Sequence, residues 1–125
     1  MNDIEKLNGR WIQVYSNEDG IDNPEEEKGL GSIADFNNGE FFVYSKNGNL
    51  LLEGIYQINT RKNPQEIDWF DSSGPDKGKL LPAIYDLSQE YFIFCAANED
   101  MKRPASFEPQ NGHTIRKFQR LSADA

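Results

Sequence analysis

The sequence predicts an all-β fold, an eight-stranded antiparallel up-and-down barrel entered through a short N-terminal helical turn. Three observations carry the prediction. Eight short runs rich in Ile and aromatic residues are separated by Gly, Pro, Asn and Asp at intervals of roughly 8 to 15 residues. Two of the interruptions, Asn37-Asn38-Gly39 and Asn47-Gly48-Asn49, supply residues that accept the positive φ of tight hairpins. The connections are mostly short, which suits a meander, and closure hides the edges that a flat eight-stranded sheet would expose.

Only the first residues read as helix: Asp3 can cap a turn over Ile4–Leu7, and Gly9 ends it. The predicted strands are then Arg10–Ser16, Gly31–Phe36, Glu40–Lys46, Leu50–Asn59, Glu66–Phe70, Leu80–Leu87, Tyr91–Ala96 and His113–Leu121. Side chains alternate along a strand, so one face of the first offers Trp11, Gln13 and Tyr15, and one face of the fourth offers Leu52, Gly54, Tyr56 and Ile58. Bulk assigns these faces to the interior. Neither face of the last strand is cleanly apolar. The 16-residue connection Ala97–Gly112 is too long for a plain hairpin and reads as a lid or binding loop, with Phe107 anchoring it against the open end.

The chain has 125 residues with a formal net charge of −8, the size of a single domain, and residues 1–125 are read as one. With eight Phe, five Tyr and two Trp, the expected core is aromatic. The acid excess argues against nucleic acid and against anionic membrane surfaces, both of which require a basic face. One Cys excludes an internal disulfide and a cysteine-paired zinc site. No apolar run approaches a membrane span, and no basic-then-apolar segment precedes Asp3, so the expected location is the cytoplasm. The charge is uneven. Glu18, Asp19, Asp22, Glu25, Glu26 and Glu27 form an acidic loop without a base, whereas Lys102 to Arg120 carries five bases against Glu108 alone.

Gly9-Arg10-Trp11, opening the first strand after a helical turn, resembles the Gly-x-Trp entry of the lipocalin superfamily. In that superfamily the Trp plugs the closed end of the barrel and an Arg late in the last strand packs across its ring. The resemblance gives that structural role to Trp11 and Arg120, and it turns Arg116, Phe118 and Arg120 inward. Further pieces follow in order: Leu7-x-Gly9-x-Trp11, Gly54-x-Tyr56-x-Ile58, Pro64-x-x-Ile67-Asp68, Ile84-Tyr85-x-Leu87, Ile93-x-Cys95 and Arg103-Pro104-x-x-Phe107. Together they resemble a small lipocalin-like bacterial domain, abundant in planctomycetes, that has no assigned biochemical function. Ala83 replaces an expected Gly, and Ser88-Gln89-Glu90 replaces an expected Gly-Asp turn. The resemblance implies a fold and no catalytic residues, many of its members look secreted or anchored, and no cofactor follows from it.

Candidate chemistry is sparse. The acidic loop lacks the alternating oxygens and central Gly of a calcium loop, and reads as a solvated loop able to meet a basic partner protein. His113 is the single histidine, too few for a metal triad, and reads as a surface residue. Cys95 reads as a small buried apolar side chain with nothing nearby in sequence to activate it. Asp68 and Glu53 read as structural carboxylates rather than an acid–base pair. The inward face is the sharper candidate: Gln13, Tyr15, Tyr56 and Arg116, with Tyr44 by parity with Phe42, are polar groups in an aromatic interior. One arginine and several phenols could hold a small carboxylate. Alternatively Arg116 pairs with a barrel acid such as Asp35 or Glu53 and the phenols satisfy one another.

Two functions follow. The first is a non-enzymatic lipocalin-like barrel binding a small apolar, amphiphilic or carboxylate ligand, its entrance between the 17–29 and 97–112 loops. The second is an inhibitor- or immunity-type interaction module with a packed barrel, acting on a basic partner through the acidic loop. An enzyme is not expected.

Overall fold

The structure, a computed structural model, describes residues 2–25 and 29–122. Helix α1 (Asp3–Leu7) leads into β1 (Gly9–Glu18), followed by β2 (Ile21–Asp22), β3 (Ile33–Asn37), β4 (Glu40–Tyr44) and β5 (Leu50–Asn59). Strands β6 (Gln65–Asp71), β7 (Leu80–Leu87), β8 (Tyr91–Ala97) and β9 (His113–Ser122) complete the chain. Every neighbouring pair is antiparallel, and β9 returns to pair with β1, closing an eight-stranded barrel. The two-residue β2 is an additional strand hydrogen-bonded to the end of β1. No helix among the described residues is long and apolar enough to cross a membrane.

The local chemistry explains most boundaries. Asn38 and Gly39 both hold positive φ (46° and 93°) and form the two-residue turn that joins β3 to β4. The cap of α1 is one residue earlier than expected. Asn2 accepts the Glu5 amide at 2.9 Å, which frees Asp3 to accept the Tyr85 hydroxyl at 2.6 Å and tie the helix to β7.

The interior is built in two tiers. Around the closed end, Leu7, Trp11, Ile67, Tyr85 and Phe92 are at most 2% exposed. Trp69 is the ring that joins the tiers. Its centroid lies 5.2 Å from Phe41, 5.8 Å from Tyr56 and 4.9 Å from Phe94. Such tilted and edge-on pairs add to the burial energy of each ring. Gly54 is required where it stands: a Cβ there would lie 2.2 Å from the Phe70 carbonyl oxygen and 2.7 Å from the Phe41 ring.

The long 98–112 connection runs differently from the expected lid. It begins at the mouth and then descends the outside of the barrel. Phe107 packs against an outer cluster of Ile84, Cys95 and Ile115 rather than against the open end. Arg103 fixes the descent, pairing with Asp68 Oδ1 at 2.7 Å and Glu66 Oε2 at 3.5 Å and donating to the Ala83 carbonyl at 2.8 Å. The reason is apolar: the outward faces of β7, β8 and β9 carry side chains that need a cover, and this segment supplies it.

Candidate functional site

The upper tier is hollow. Inward positions there hold Ala34, Val43, Ala96 and Thr114, too small to meet across the barrel, and they leave a cavity of about 530 Å³. Its floor is aromatic, formed by Phe36, Phe41, Trp69, Phe94 and Phe118. Its upper wall is polar, with Gln13 and Glu18 from β1, Asp71 from β6 and Arg116 from β9. The rim is made by Asp76 and Lys79 before β7 and by Asn98 and Glu99 after β8. Lys79 Nζ lies 3.6 Å from Asp76 and 3.3 Å from Glu99, so one ammonium links the two rim segments. Its pKa is raised, chiefly by the hydrogen bond to Glu99.

Of the five residues expected to form a ligand site, the cavity wall takes two. Gln13 is 2% exposed, and its Oε1 accepts from Arg116 Nη1 at 3.2 Å. Arg116 Nη2 lies 3.2 Å from Glu18 Oε1. Its acid partner is therefore Glu18 rather than Asp35 or Glu53, and Asp35 pairs with Arg10 at 3.5 Å on the outer face.

The three tyrosines are elsewhere, which corrects the expected phenol set. Tyr15 fails by one residue. The β1–β9 register shifts between Gln13 and Tyr15, so a bulge turns the ring outward. It packs beside the outer Ile84–Cys95–Ile115 cluster and donates to Asp22 Oδ1 at 2.6 Å. That hydrogen bond raises the Tyr15 pKa and lowers that of Asp22. Tyr44 is half-buried and does not line the cavity, because Phe41 and Val43, not Phe42, are the inward residues of β4. Tyr56 does point inward, but in the lower tier against Phe36 and Trp69, 3% exposed, where burial raises its pKa.

At the closed end the Arg120 guanidinium carbon lies 4.1 Å from the centre of the Trp11 ring. Trp11 is fully buried and donates its indole N–H to the Leu7 carbonyl at 2.9 Å. Arg120 also donates to the carbonyls of Lys6, Asn8 and Gln89, so it collects the carbonyls at the C-terminus of α1 as well as the indole face.

The acidic loop and the segment after β8 do meet beside the mouth, through backbone rather than through opposite charges. Asp19 Oδ1 accepts the Gly112 amide at 2.7 Å, and the Asp19 amide donates to the His113 carbonyl. Glu25 lies among the described residues; Glu26 and Glu27 lie outside them. Among the described residues, no group of three or more His, Cys, Asp and Glu is placed to hold a metal ion.

One pairing was not legible in the sequence. His113, expected at the surface, is 6% exposed; its Nδ1 is 3.8 Å from Cys95 Sγ and 3.0 Å from Gln110 Nε2. The two residues face each other because Ala97 pairs with His113 and Cys95 with Ile115, which puts Cys95 and His113 diagonally adjacent on the outer face. Burial pushes the Cys95 thiol up to about 11, away from the thiolate a nucleophile needs.

Compared with protein-family models, with curated proteins and with solved structures, the chain matches none significantly.

Proposed function

We propose that this chain is a non-enzymatic, lipocalin-like barrel that binds a small apolar or amphiphilic molecule in the open half of its interior. The observation that carries the reading is the cavity. At about 530 Å³ it lies within the roughly 300–1,000 Å³ of small-molecule sites, with apolar rings below and a few polar groups above. The order of the wall favours an amphiphile seated with its apolar part on Trp69 and Phe94 and its polar end near Gln13, Thr114 and Arg116. The hollow weighs against the alternative, an interaction module with a packed barrel acting through the acidic loop.

The test is binding of N-phenylnaphthylamine, a neutral dye whose emission rises in an apolar site. Trp69 lines the cavity while Trp11 is sealed in the closed end, so energy transfer from tryptophan to the bound dye should fall strongly in Trp69→Phe. Ala96→Phe should fill the hollow and abolish the enhancement while the protein stays folded by near-ultraviolet circular dichroism. Equal dye binding by the wild type and Ala96→Phe, or none by either, would refute the reading.

A further inference from the structure

The hollow is short, wide and closed below. Its floor is continuous: the Phe36 ring lies 5.7 Å from Phe92 and 6.1 Å from Trp69, and Trp69 lies 6.4 Å from the fully buried Phe92. A ligand therefore cannot thread past this level toward the closed end. From Phe118 on the floor to Thr114 in the upper wall is four residues of β9, and from Phe94 to Asn98 is four along β8 and its exit. At about 3.3 Å per residue the depth is at most roughly 13 Å, so a volume of about 530 Å³ has a mean cross-section of at least roughly 40 Å².

That shape suits a ring system better than a chain. One extended hydrocarbon chain is thinner than the hollow and would leave voids beside Ala34, Val43 and Ala96, forfeiting dispersion contacts. A chain longer than the depth would trail into water, and folding it back costs conformational freedom. A fused ring fills the width with few rotors to freeze. The floor gives a reason for that ring to be aromatic. Phe92, Phe118 and Phe94 form a series of nearly parallel rings, with interplanar angles of 27° and 18° at centroid spacings of 6.1 and 6.2 Å. Phe118 and Phe94 border the hollow, and Trp69 stands 4.9 Å from Phe94 at 53°. A flat ligand ring can extend the series and meet Trp69 at a tilt, contacts that add to the burial of the same area.

Resting on the cavity reading above, we infer that the apolar body of the ligand is a compact aromatic system on the scale of two fused rings, and not a long alkyl chain. Phe94, Phe118 and Trp69 set this preference. It follows from the depth, width and ring inclinations of the hollow, and it holds whatever polar group the ligand carries.

Three neutral alcohols with the same number of carbons separate the possibilities: 2-naphthylmethanol, its saturated analogue decahydro-2-naphthylmethanol, and undecan-1-ol. Each is measured by equilibrium dialysis against the full chain, below its solubility limit. The naphthyl alcohol should bind about two- to tenfold more tightly than its saturated analogue, the gain expected of one aromatic pair. Undecanol should bind most weakly, although it leaves water for an apolar solvent most readily of the three. Phe94→Leu should bring the naphthyl alcohol to within about twofold of its analogue, and the wild-type comparison stands whether or not that variant folds. If undecanol or the saturated analogue binds as tightly as the naphthyl alcohol, the inference is overturned and the cavity reading stands. The same holds if a folded Phe94→Leu keeps the full aromatic preference. If none of the three binds, both fall.

Discussion

The Arg120 guanidinium lies across the Trp11 indole at 4.1 Å while three of its nitrogens donate to main-chain carbonyls, two of them at the end of α1. One side chain thus fastens helix, first strand and last strand at the seam where the barrel closes. Replacing Arg120 with Ala should cost about 2–4 kcal/mol, the sum expected for a cation–π contact and charge-assisted hydrogen bonds whose acceptors are left bare. Arg120→Lys should recover less than half of the loss, because an ammonium cannot stack on the ring and reach three carbonyls together. Urea denaturation of both variants measures this, and a loss below about 0.5 kcal/mol for the Ala variant would contradict the role.

Gly54 has no room for a methyl group. The nearest obstacle to a Cβ is the Phe70 carbonyl at 2.2 Å, main chain of the neighbouring strand, which cannot turn aside as a side chain can. Gly54→Ala should destabilise by about 3 kcal/mol or more. Adding Phe41→Leu should restore only a minor part, since it removes the contact at 2.7 Å and leaves the carbonyl in place. Thermal melting of the single and double variants decides it.

Arg103 should act as the clasp of the 98–112 segment. Its partners Asp68 and Glu66 are about a quarter exposed on their side chains, and the Ala83 carbonyl lies beneath. Arg103→Met should cost about 1–3 kcal/mol and expose the segment to proteases between residues 98 and 112. Cleavage sites mapped by mass spectrometry should cluster there in the variant and not in the wild type. An unchanged digestion pattern would show that Phe107 holds the segment alone.

Alkaline pH should loosen the barrel through Cys95. Its thiol titrates at an ordinary 9.0 when unfolded and at about 11 when folded. Between those values the folded chain binds the proton that the unfolded chain has lost, so stability is full below pH 9 and declines as pH rises toward 11. Two units correspond to roughly 2–3 kcal/mol, an upper bound for this one group. Tyr85 and Tyr56, whose pKa values burial raises, push in the same direction above pH 10. Cys95→Ala should therefore lose less stability than the wild type between pH 8 and 10.5, measured as the shift of the urea midpoint. Parallel shifts in the two proteins would remove Cys95 as the cause.

The strands were readable because their signals are local. Leu50–Asn59 and Leu80–Leu87 fall where the alternation and flanking turn residues place them, and the other barrel strands differ at their ends by one or two residues. Inward parity was readable wherever a strand runs straight, as for Trp11 and Gln13 on β1 and Leu52, Gly54 and Tyr56 on β5. It failed at Tyr15, where one bulged residue reverses the face. No residue type announces such a bulge, because the partner strand a hundred residues away decides it. Tyr44 failed for a simpler reason: Phe41 and Phe42 are equally apolar neighbours, and only packing over Gly54 selects the first as the inward ring.

By itself the sequence determined the class of fold, the positions of the strands and hairpins, and the aromatic character of the interior. These follow from turn chemistry and from the two-residue period of a strand, which act over a few residues. The tertiary structure alone decided that the aromatic rings fill one tier and leave the other hollow. It also decided that Arg116 faces Glu18, that Cys95 faces His113, and that the 98–112 segment covers the outside of β7 to β9 instead of the mouth. Those outcomes depend on distances across a closed barrel and on which side chains share a level. Closure fixes both at once, and no local stretch of chain contains them.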